Sequence, residues 1–443
     1  MRFYDRKEEL KELRRIQNLA FSKYSRMTVI TGRRRIGKTS LAVEATKGPE
    51  PTLYLFVGRK SEAALCEEFI PLANQSLGLS LPSDIKSFRL LFQLLMEHGK
   101  NHRFNLIIDE FQEFDYVDKA VFGEVQNIWD SYRKDSNVNL LIMGSVFSMM
   151  HKIFEEYKQP LFGRADNIIR LSGFGTDTLK EIMEDFKPSY SNDELLALYS
   201  ITGGVPKYIE LLCENTDLSL TGIFRYIAGE NSPFTDEGKN ILIEEFGKDY
   251  GIYFSILSSI AAGINVQSEI EAVLDVDSIG GQISRLIEDY GLVKRRRPIL
   301  SKPGTKSVIF EIEDNFFKFW FRYFDKNQSI VAIKNFPLLR DIMEKDYTTF
   351  SGPMLEKYFR LKMMESHRFR DIGSWWQRKR GKEANEIDIV GILADGKRAF
   401  VAEVKRQRRN YEHKEFMAKV ELLKTTVLSQ YEIVPQLLTL DDM

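Results

Sequence analysis

The chain changes its hydrophobic rhythm several times. Four short runs, Met27–Ile30, Leu53–Val57, Phe104–Ile108 and Val138–Met143, are apolar almost throughout. Near-continuous runs of this length predict strands of a parallel sheet buried on both faces. Helix-forming segments lie between them, beginning with Ser40–Ala45 soon after the first run. This alternation up to about residue 170 predicts a mostly parallel sheet covered by helices on both faces. From about Asp177 to Ala228 the periodicity turns helical, interrupted at Thr202-Gly-Gly-Val-Pro206. Glycine and proline are strong local punctuation, and here the chain is expected to leave the sheet for a helical lid.

Between about Tyr250 and Arg322 two amphipathic stretches, Tyr253–Ile260 and Ile279–Leu292, precede two strand-like runs around a Lys302-Pro-Gly-Thr turn. Short helices followed by a basic hairpin resemble a winged helix-turn-helix. Lys294-Arg-Arg-Arg297 at the start of the wing has two readings: a contact for phosphates or another protein surface, or a solvated charge run in a structural linker. The aromatic stretch Asn315–Phe324 reads as packed interdomain core rather than a platform for bases. Further on, Glu386-Ile-Asp388-Ile-Val starts a strand, Ala394-Asp-Gly396 reverses it, and Ala399–Lys405 forms its partner.

Candidate chemistry enters at Gly32-Arg-Arg-Arg-Ile-Gly37-Lys38-Thr39, which fits G-x-x-x-x-G-K-[ST] without a mismatch. The strand before it and the helix after it are the context a phosphate-binding loop requires. Gly32 and Gly37 let the backbone curl, so that N–H groups through Arg35, Ile36, Gly37 and Ser40 can converge on one anion at a helix N-terminus. Lys38 would reach the β/γ-phosphates, and the Thr39 hydroxyl sits where Mg²⁺ needs an oxygen. Asp109 and Glu110 follow the third apolar run, at the carboxyl end where ligands bind in open α/β sheets. Asp109 would hold metal-bound water and Glu110 would polarise the attacking water. Ser145, after the fourth run, either senses the γ-phosphate or the attacking water, or caps a following helix.

The C-terminal hairpin carries a second constellation. Glu403 and Lys405 are two apart on one strand and share a face, and Asp388 on the neighbouring strand can approach them. Two carboxylates can hold Mg²⁺ and activate water while a lysine stabilises charge; Glu356, on an upstream helical segment, would add a third acidic ligand. An ordinary hairpin with Glu and Lys in cross-strand pairing is the plainer alternative. This D…E-x-K arrangement resembles the core of restriction-endonuclease-like domains. From Arg368 to Arg409 there are twelve Lys/Arg against six Asp/Glu, an excess that suits a polyanionic partner such as DNA.

Composition narrows the class without choosing a partner. At 443 residues and 43% hydrophobic, the chain is long enough for about three domains. A net charge of -1 hides any local asymmetry. Cys66 and Cys213 are the only cysteines, which excludes a disulfide framework or zinc cluster and fits a reducing compartment. Met1–Asp5 lacks an apolar leader and no stretch approaches ~18 apolar residues, so no membrane is expected and the protein is read as cytoplasmic.

With these pieces placed, the chain resembles archaeal-type ATPases of the STAND class that carry a C-terminal DUF234 extension, nearly end to end. Phe3-Tyr-Asp-Arg6-Lys-Glu-Glu-Leu10 is similar to the family's N-terminal box, which implies that Arg6 lines an adenine pocket. Ile142-Met-Gly-Ser145 matches its sensor strand. Leu161-Phe-Gly-Arg164 is similar to a segment whose arginine contacts the γ-phosphate in cis or from a neighbour, the latter requiring self-association. Gly203-Gly-Val-Pro206 resembles the G-x-P signature of its lid, which places Pro206 at the nucleotide. The expected architecture is therefore α/β: a P-loop NTPase parallel sheet (1–172) with a helical lid (173–245), a winged helix-turn-helix (246–325) and a small α/β nuclease-like domain (326–443). The expected function is Mg²⁺-dependent binding and hydrolysis of ATP as a switch acting on DNA. The competing reading is an ATP-controlled signalling or scaffolding protein with a non-catalytic C-terminal fold.

Overall fold

The computed structural model describes residues 1–302, 304, 305, 307–379 and 382–443, and the backbone alone for 378, 379 and 382–384. Pro303 of the expected wing turn and Arg380 of the basic stretch thus lie outside the described residues, as do the side chains of Arg378, Lys379, Lys382 and Glu383 in that stretch. The chain forms two compact units, Phe3–Ser172, and Gly173–Met443 together with Met1–Arg2.

Phe3–Ser172 is built on five strands: β1 (Arg26–Thr31), β2 (Thr52–Phe56), β3 (Phe104–Asp109), β4 (Val138–Met143) and β5 (Asn167–Arg170). All pair in parallel, in the order β2-β3-β4-β1-β5. Every residue of β3 and β4 is buried, in keeping with their near-continuous apolar runs. Leu106, Ile108, Leu140 and Ile142 pack in one core with Phe88, Phe92, Phe111 and Trp129. Each such side chain contributes about 1.5–3 kcal/mol on burial. Strand order has a functional consequence: the register pairs Ile30 with Met143 and Ile108 with Ile142. The carboxyl ends of β1, β3 and β4, and the loops that follow them, therefore share one edge.

In the other unit, helices Thr176–Phe186, Asn192–Thr202, Pro206–Asn215, Leu220–Ile227 and Phe234–Phe246 come first. Asn192–Thr202 opens with a Ser191/Glu194 capping box and is buried from Leu195 to Thr202. Helices Tyr250–Ala261, Gln267–Leu274 and Gly280–Glu288 then precede the antiparallel hairpin β6 (Val293–Arg296) and β7 (Ile309–Ile312). Two details differ from the pattern reading. The middle helix was not foreseen, and the last helix stops at Glu288 because Gly291, at φ 57°, turns the chain toward β6. The aromatic stretch forms a helix, Asn315–Trp320, and a π-helical turn, Phe321–Asp325; its Phe316, Phe317, Phe319, Trp320, Phe321, Tyr323 and Phe324 are all buried, where no base could stack.

A 30-residue helix, Phe336–Glu365, leads into the sheet β11-β10-β9-β8, made of β8 (Phe369–Lys379), β9 (Lys382–Leu393), β10 (Arg398–Val404) and β11 (Glu432–Leu438). β8, β9 and β10 are antiparallel neighbours; β11 runs parallel to β10 and is reached through helix His413–Thr426, the crossover that parallel pairing demands. Trp375, Ile387, Val390, Val401, Phe416 and Leu423 form the core. Arg406 bonds Asp193 at 2.7 Å, Asn192 bonds the Leu440 carbonyl at 2.7 Å, and Glu365 accepts from the Thr176 N–H at 3.1 Å. These ties join the first helices of the unit to its long helix and to the segments that follow β10 and β11. Among the described residues no helix is long and apolar enough to cross a membrane.

Candidate functional sites

The loop after β1 depends on two glycines. Gly32 has φ 148° and Gly37 φ 92°, and a Cβ on Gly32 would stand 2.9 Å from the Leu171 carbonyl oxygen and 3.0 Å from Ile36. Only glycine fits there. Gly37 is also the N-cap of helix Lys38–Ala45, whose end therefore has no capping side chain and is left for a ligand. Lys38 is 6% exposed, and its ammonium donates to the carbonyls of Gly32 (2.8 Å) and Arg33 (3.0 Å). Ile36 is buried, Arg35 takes a left-handed φ of 67°, and Thr39 and Ser40 face outward.

Asp109, buried at the end of β3, accepts through Oδ2 from the Thr39 hydroxyl at 2.9 Å and the Tyr54 hydroxyl at 2.7 Å. Burial and the bond to Asp109 push the Tyr54 hydroxyl above its ordinary range. Two hard oxygens, a hydroxyl and a carboxylate, thus stand side by side, a donor set suited to Mg²⁺. Glu110 adopts φ 54°, a conformation that costs a non-glycine residue about 1–3 kcal/mol. Its Oε2 is held by the Ser145 N–H (3.1 Å), the Ser145 hydroxyl (2.7 Å) and Gln112 Nε2 (2.6 Å). Ser145 thus clamps the carboxylate of Glu110 and does not cap the following helix, Phe147–Glu155, whose N-cap is Val146.

The residues named by the resemblance are held as follows. Arg6, at φ 64° and 5% exposed, donates to the Ser172 carbonyl at 2.6 Å and to Glu9 at 3.3 Å. Arg164 pairs with Asp130 at 3.1 Å and the Phe162 carbonyl at 3.0 Å. Pro206 starts helix Pro206–Asn215, a position that needs no N–H, and lies in the unit that begins at Gly173.

At the C-terminal sheet the register Ala402–Ile389 sets Asp388 beside Glu403. Asp388 Oδ2 accepts from the Val404 N–H at 2.7 Å. Glu403 is 7% exposed; its Oε1 lies 2.9 Å from the Lys405 ammonium, whereas its Oε2 is buried without a partner. An orphaned buried carboxylate oxygen is costly, and a bound cation would satisfy it. Glu356 stands on helix Phe336–Glu365, and Arg360 one turn later lies 3.5 Å from it and donates to the Asp388 carbonyl at 3.0 Å. Burial holds both Glu356 and Asp388 above the ordinary carboxylate range, and Asp388 raises Glu356 further. Against its own burial, Lys405 is held above its ordinary range by Glu403 and Asp388. Among the described residues no three His, Cys, Asp or Glu side chains are gathered as a metal centre, so the arrangement is looser than the three-carboxylate set read from the sequence. Two further cations complete it: Arg360, and Lys419, whose ammonium is 3.8 Å from Glu403 Oε1 and 3.0 Å from Glu415. Arg360 was legible as the i+4 neighbour of Glu356; Lys419, on the crossover helix, left no signal.

A carboxyl with a raised folded pKa binds its proton more tightly when folded, so its contribution to stability is lost as pH rises from the unfolded value. In metal-free protein Glu356→Gln is therefore expected to gain about 1–2 kcal/mol over wild type at pH 8 and little at pH 4.5. Urea denaturation at both pH values measures this, and an equal change at both would contradict it.

Strand alternation divides the basic run on β6. Lys294 pairs with Glu313 at 2.9 Å and Glu311 at 3.6 Å, and Arg296 approaches Glu311 at 3.6 Å and donates to Ser374 at 2.5 Å. Arg295 and Arg297 are exposed. Half of the run is thus consumed inside the unit.

Residues 3–212 match the family described as an ATPase domain found predominantly in Archaea, and residues 320–417 match DUF234, archaeal and bacterial proteins of unknown function. An uncharacterized protein of Methanocaldococcus jannaschii is 28% identical over 422 residues, covering 91% of this chain and 87% of that one. Among solved structures, the Walker-type ATPase of Pyrococcus abyssi superposes with a TM-score of 0.51 at 19% identity, over 72% of this chain and 96% of that one. The ORC2 protein of Aeropyrum pernix, in ADPNP and ADP complexes, gives 0.47 at 14% identity, over 74% and 94%. The sheet order and the phosphate loop with its acidic strand end agree with the two family matches: residues 3–212 carry an archaeal-type ATPase domain and residues 320–417 a DUF234 domain.

Proposed function

We propose that the protein is a Mg²⁺-dependent, ATP-hydrolysing switch that acts on DNA, with residues 1–172 as the ATPase core, 173–245 as its lid, 246–325 as a winged helix and 326–443 as a restriction-endonuclease-like domain. The observation that carries the first part is the convergence of Lys38, Thr39, Asp109, Glu110 and Ser145 on one sheet edge. Lys38 would exchange the carbonyls of Gly32 and Arg33 for phosphate oxygens, anionic acceptors in place of neutral ones. Thr39 and Asp109 would hold the metal, and Glu110, fixed by Ser145, would orient the attacking water. Arg164 would join only after leaving Asp130.

For the C-terminal part, support comes from the orphaned Glu403 Oε2 beside Asp388 and Lys405. Asp388 and Glu403 would hold a cation there, with Glu356 close by, and Lys405 would neutralise charge on a phosphodiester. A divalent cation bound at either set of oxygens supplies Lewis acidity and lowers the pKa of bound water. Incubation of the protein with DNA and Mn²⁺ is expected to give cleavage that Glu403→Ala reduces at least ~10²-fold. Cleavage that survives this substitution would remove Glu403 from the site.

A second reading, in which ATP controls association and the C-terminal fold only binds, is favoured by one observation: burial keeps Glu356 toward its protonated form, which is a poor metal ligand. Wild-type protein that binds DNA without cutting it would support that reading.

A further inference from the structure

We infer that Lys419 is a second phosphate-binding ammonium of the C-terminal site, set beside Lys405 and held in reserve by Glu415, and that its ligand is the phosphodiester backbone of DNA. The inference rests on the reading of that site as one that meets nucleic acid, and it adds a residue beyond the 320–417 stretch that DUF234 matches.

Three observations carry it. The first is a mismatch of charge at one atom. Glu403 Oε1 faces two ammonium groups, Lys405 at 2.9 Å and Lys419 at 3.8 Å, while the other oxygen of the same carboxylate is buried without a partner. A single carboxylate oxygen is thus shared by two ammonium groups, and besides it Lys419 has only the carboxylate of Glu415 at 3.0 Å. A phosphate joining Lys405 and Lys419 would supply the anion that this one oxygen now divides between them. Like charges held together in a partly buried place are costly unless an anion joins them.

The second observation is the weakness of the partner that Lys419 does have. Glu415 lies one turn earlier on helix His413–Thr426, and its side chain is 65% exposed. An i,i+4 pair with a fully exposed carboxylate is screened by solvent and holds its lysine weakly, so Lys419 can leave it at little cost. The third is placement. The Lys419 side chain is 18% exposed, and buried Phe416, Val420 and Leu423 of the same helix seat it on the core of the C-terminal sheet. The ammonium is thus pre-positioned, with less rotamer entropy left to lose on binding than a free surface lysine.

The test is DNA binding measured in EDTA, where no cleavage can occur, with a fluorescent duplex titrated over a series of salt concentrations. Loss of one phosphate contact reduces the slope of log K against log[salt] by about 0.9. Lys419→Met is expected to show that reduction, and Lys419→Arg to keep the wild-type slope. Glu415→Gln, at an exposed position that leaves the fold untouched, is expected to strengthen binding. That opposite sign separates phosphate contact from a structural role and serves even where Lys419→Met folds poorly. A wild-type slope in Lys419→Met, or unchanged binding in Glu415→Gln, overturns the inference. Reduced slope in a protein that never cleaves DNA with Mn²⁺ would sink the nuclease reading alone, and a wild type that binds no DNA would sink both.

Discussion

Lys38→Ala is expected to lower ATP turnover by about 10²–10³-fold, the range found when a charge-stabilising donor is deleted from a preorganised site. The reason lies in where the ammonium sits. It is buried and bridges the carbonyls of Gly32 and Arg33 across the mouth of the loop, so it meets an incoming phosphate already desolvated. Alanine removes both the charge and the donor that holds those carbonyls in the curled conformation. Binding of a fluorescent ATP analogue should weaken together with turnover, because the lysine acts on the bound phosphates as well as on the developing charge. Phosphate release at saturating ATP gives the measurement. Normal hydrolysis by the variant would detach the loop from the reaction and with it the whole assignment of this sheet edge.

Glu311→Gln is expected to destabilise the unit containing it by about 3–5 kcal/mol, the cost of breaking a buried ion pair on one side only. Glu311, on β7, pairs with Lys318 from the aromatic helix and lies 3.6 Å from both Lys294 and Arg296 of β6. Burial works against its charge, yet these cations hold its carboxyl well below the usual range. A depressed carboxylate contributes stability that is present above its unfolded value and lost as pH falls below it. Wild-type stability should therefore decline below about pH 4.5. Glu311→Gln should start lower at pH 7 and show less of that decline. Exposed Glu313, which also faces Lys294, is the comparison: Glu313→Gln should cost at most about 1 kcal/mol. Equal denaturation midpoints for wild type and Glu311→Gln at pH 7 would show that the cluster does not hold the hairpin.

The cluster also explains why the basic run misled. Lys294-Arg-Arg-Arg297 reads as four outward cations, but a strand sends alternate residues to opposite faces, so Lys294 and Arg296 turn to Glu311, Glu313 and Ser374 while Arg295 and Arg297 remain in solvent. Charge counts register numbers of groups and not the partners that fold back from distant positions. Glu110 makes the same point. Its place after an apolar strand was readable, but its left-handed backbone and its clamp by Ser145 arise because β3 and β4 are neighbours.

Contiguous elements survived the step from string to fold. Gly32 to Thr39, the apolar runs of β1 to β4, and the Glu403-x-Lys405 strand each lie within a dozen residues, where local sterics, helix capping and side-chain alternation act without help from the rest of the chain. Folding settled everything that joins remote segments: which strand lies beside which, the approach of Arg360 and Lys419 to Asp388 and Glu403, and the engagement of Arg6 with Ser172 and of Arg164 with Asp130. Those pairings depend on through-space distance between groups tens to hundreds of residues apart, a quantity that no local periodicity encodes.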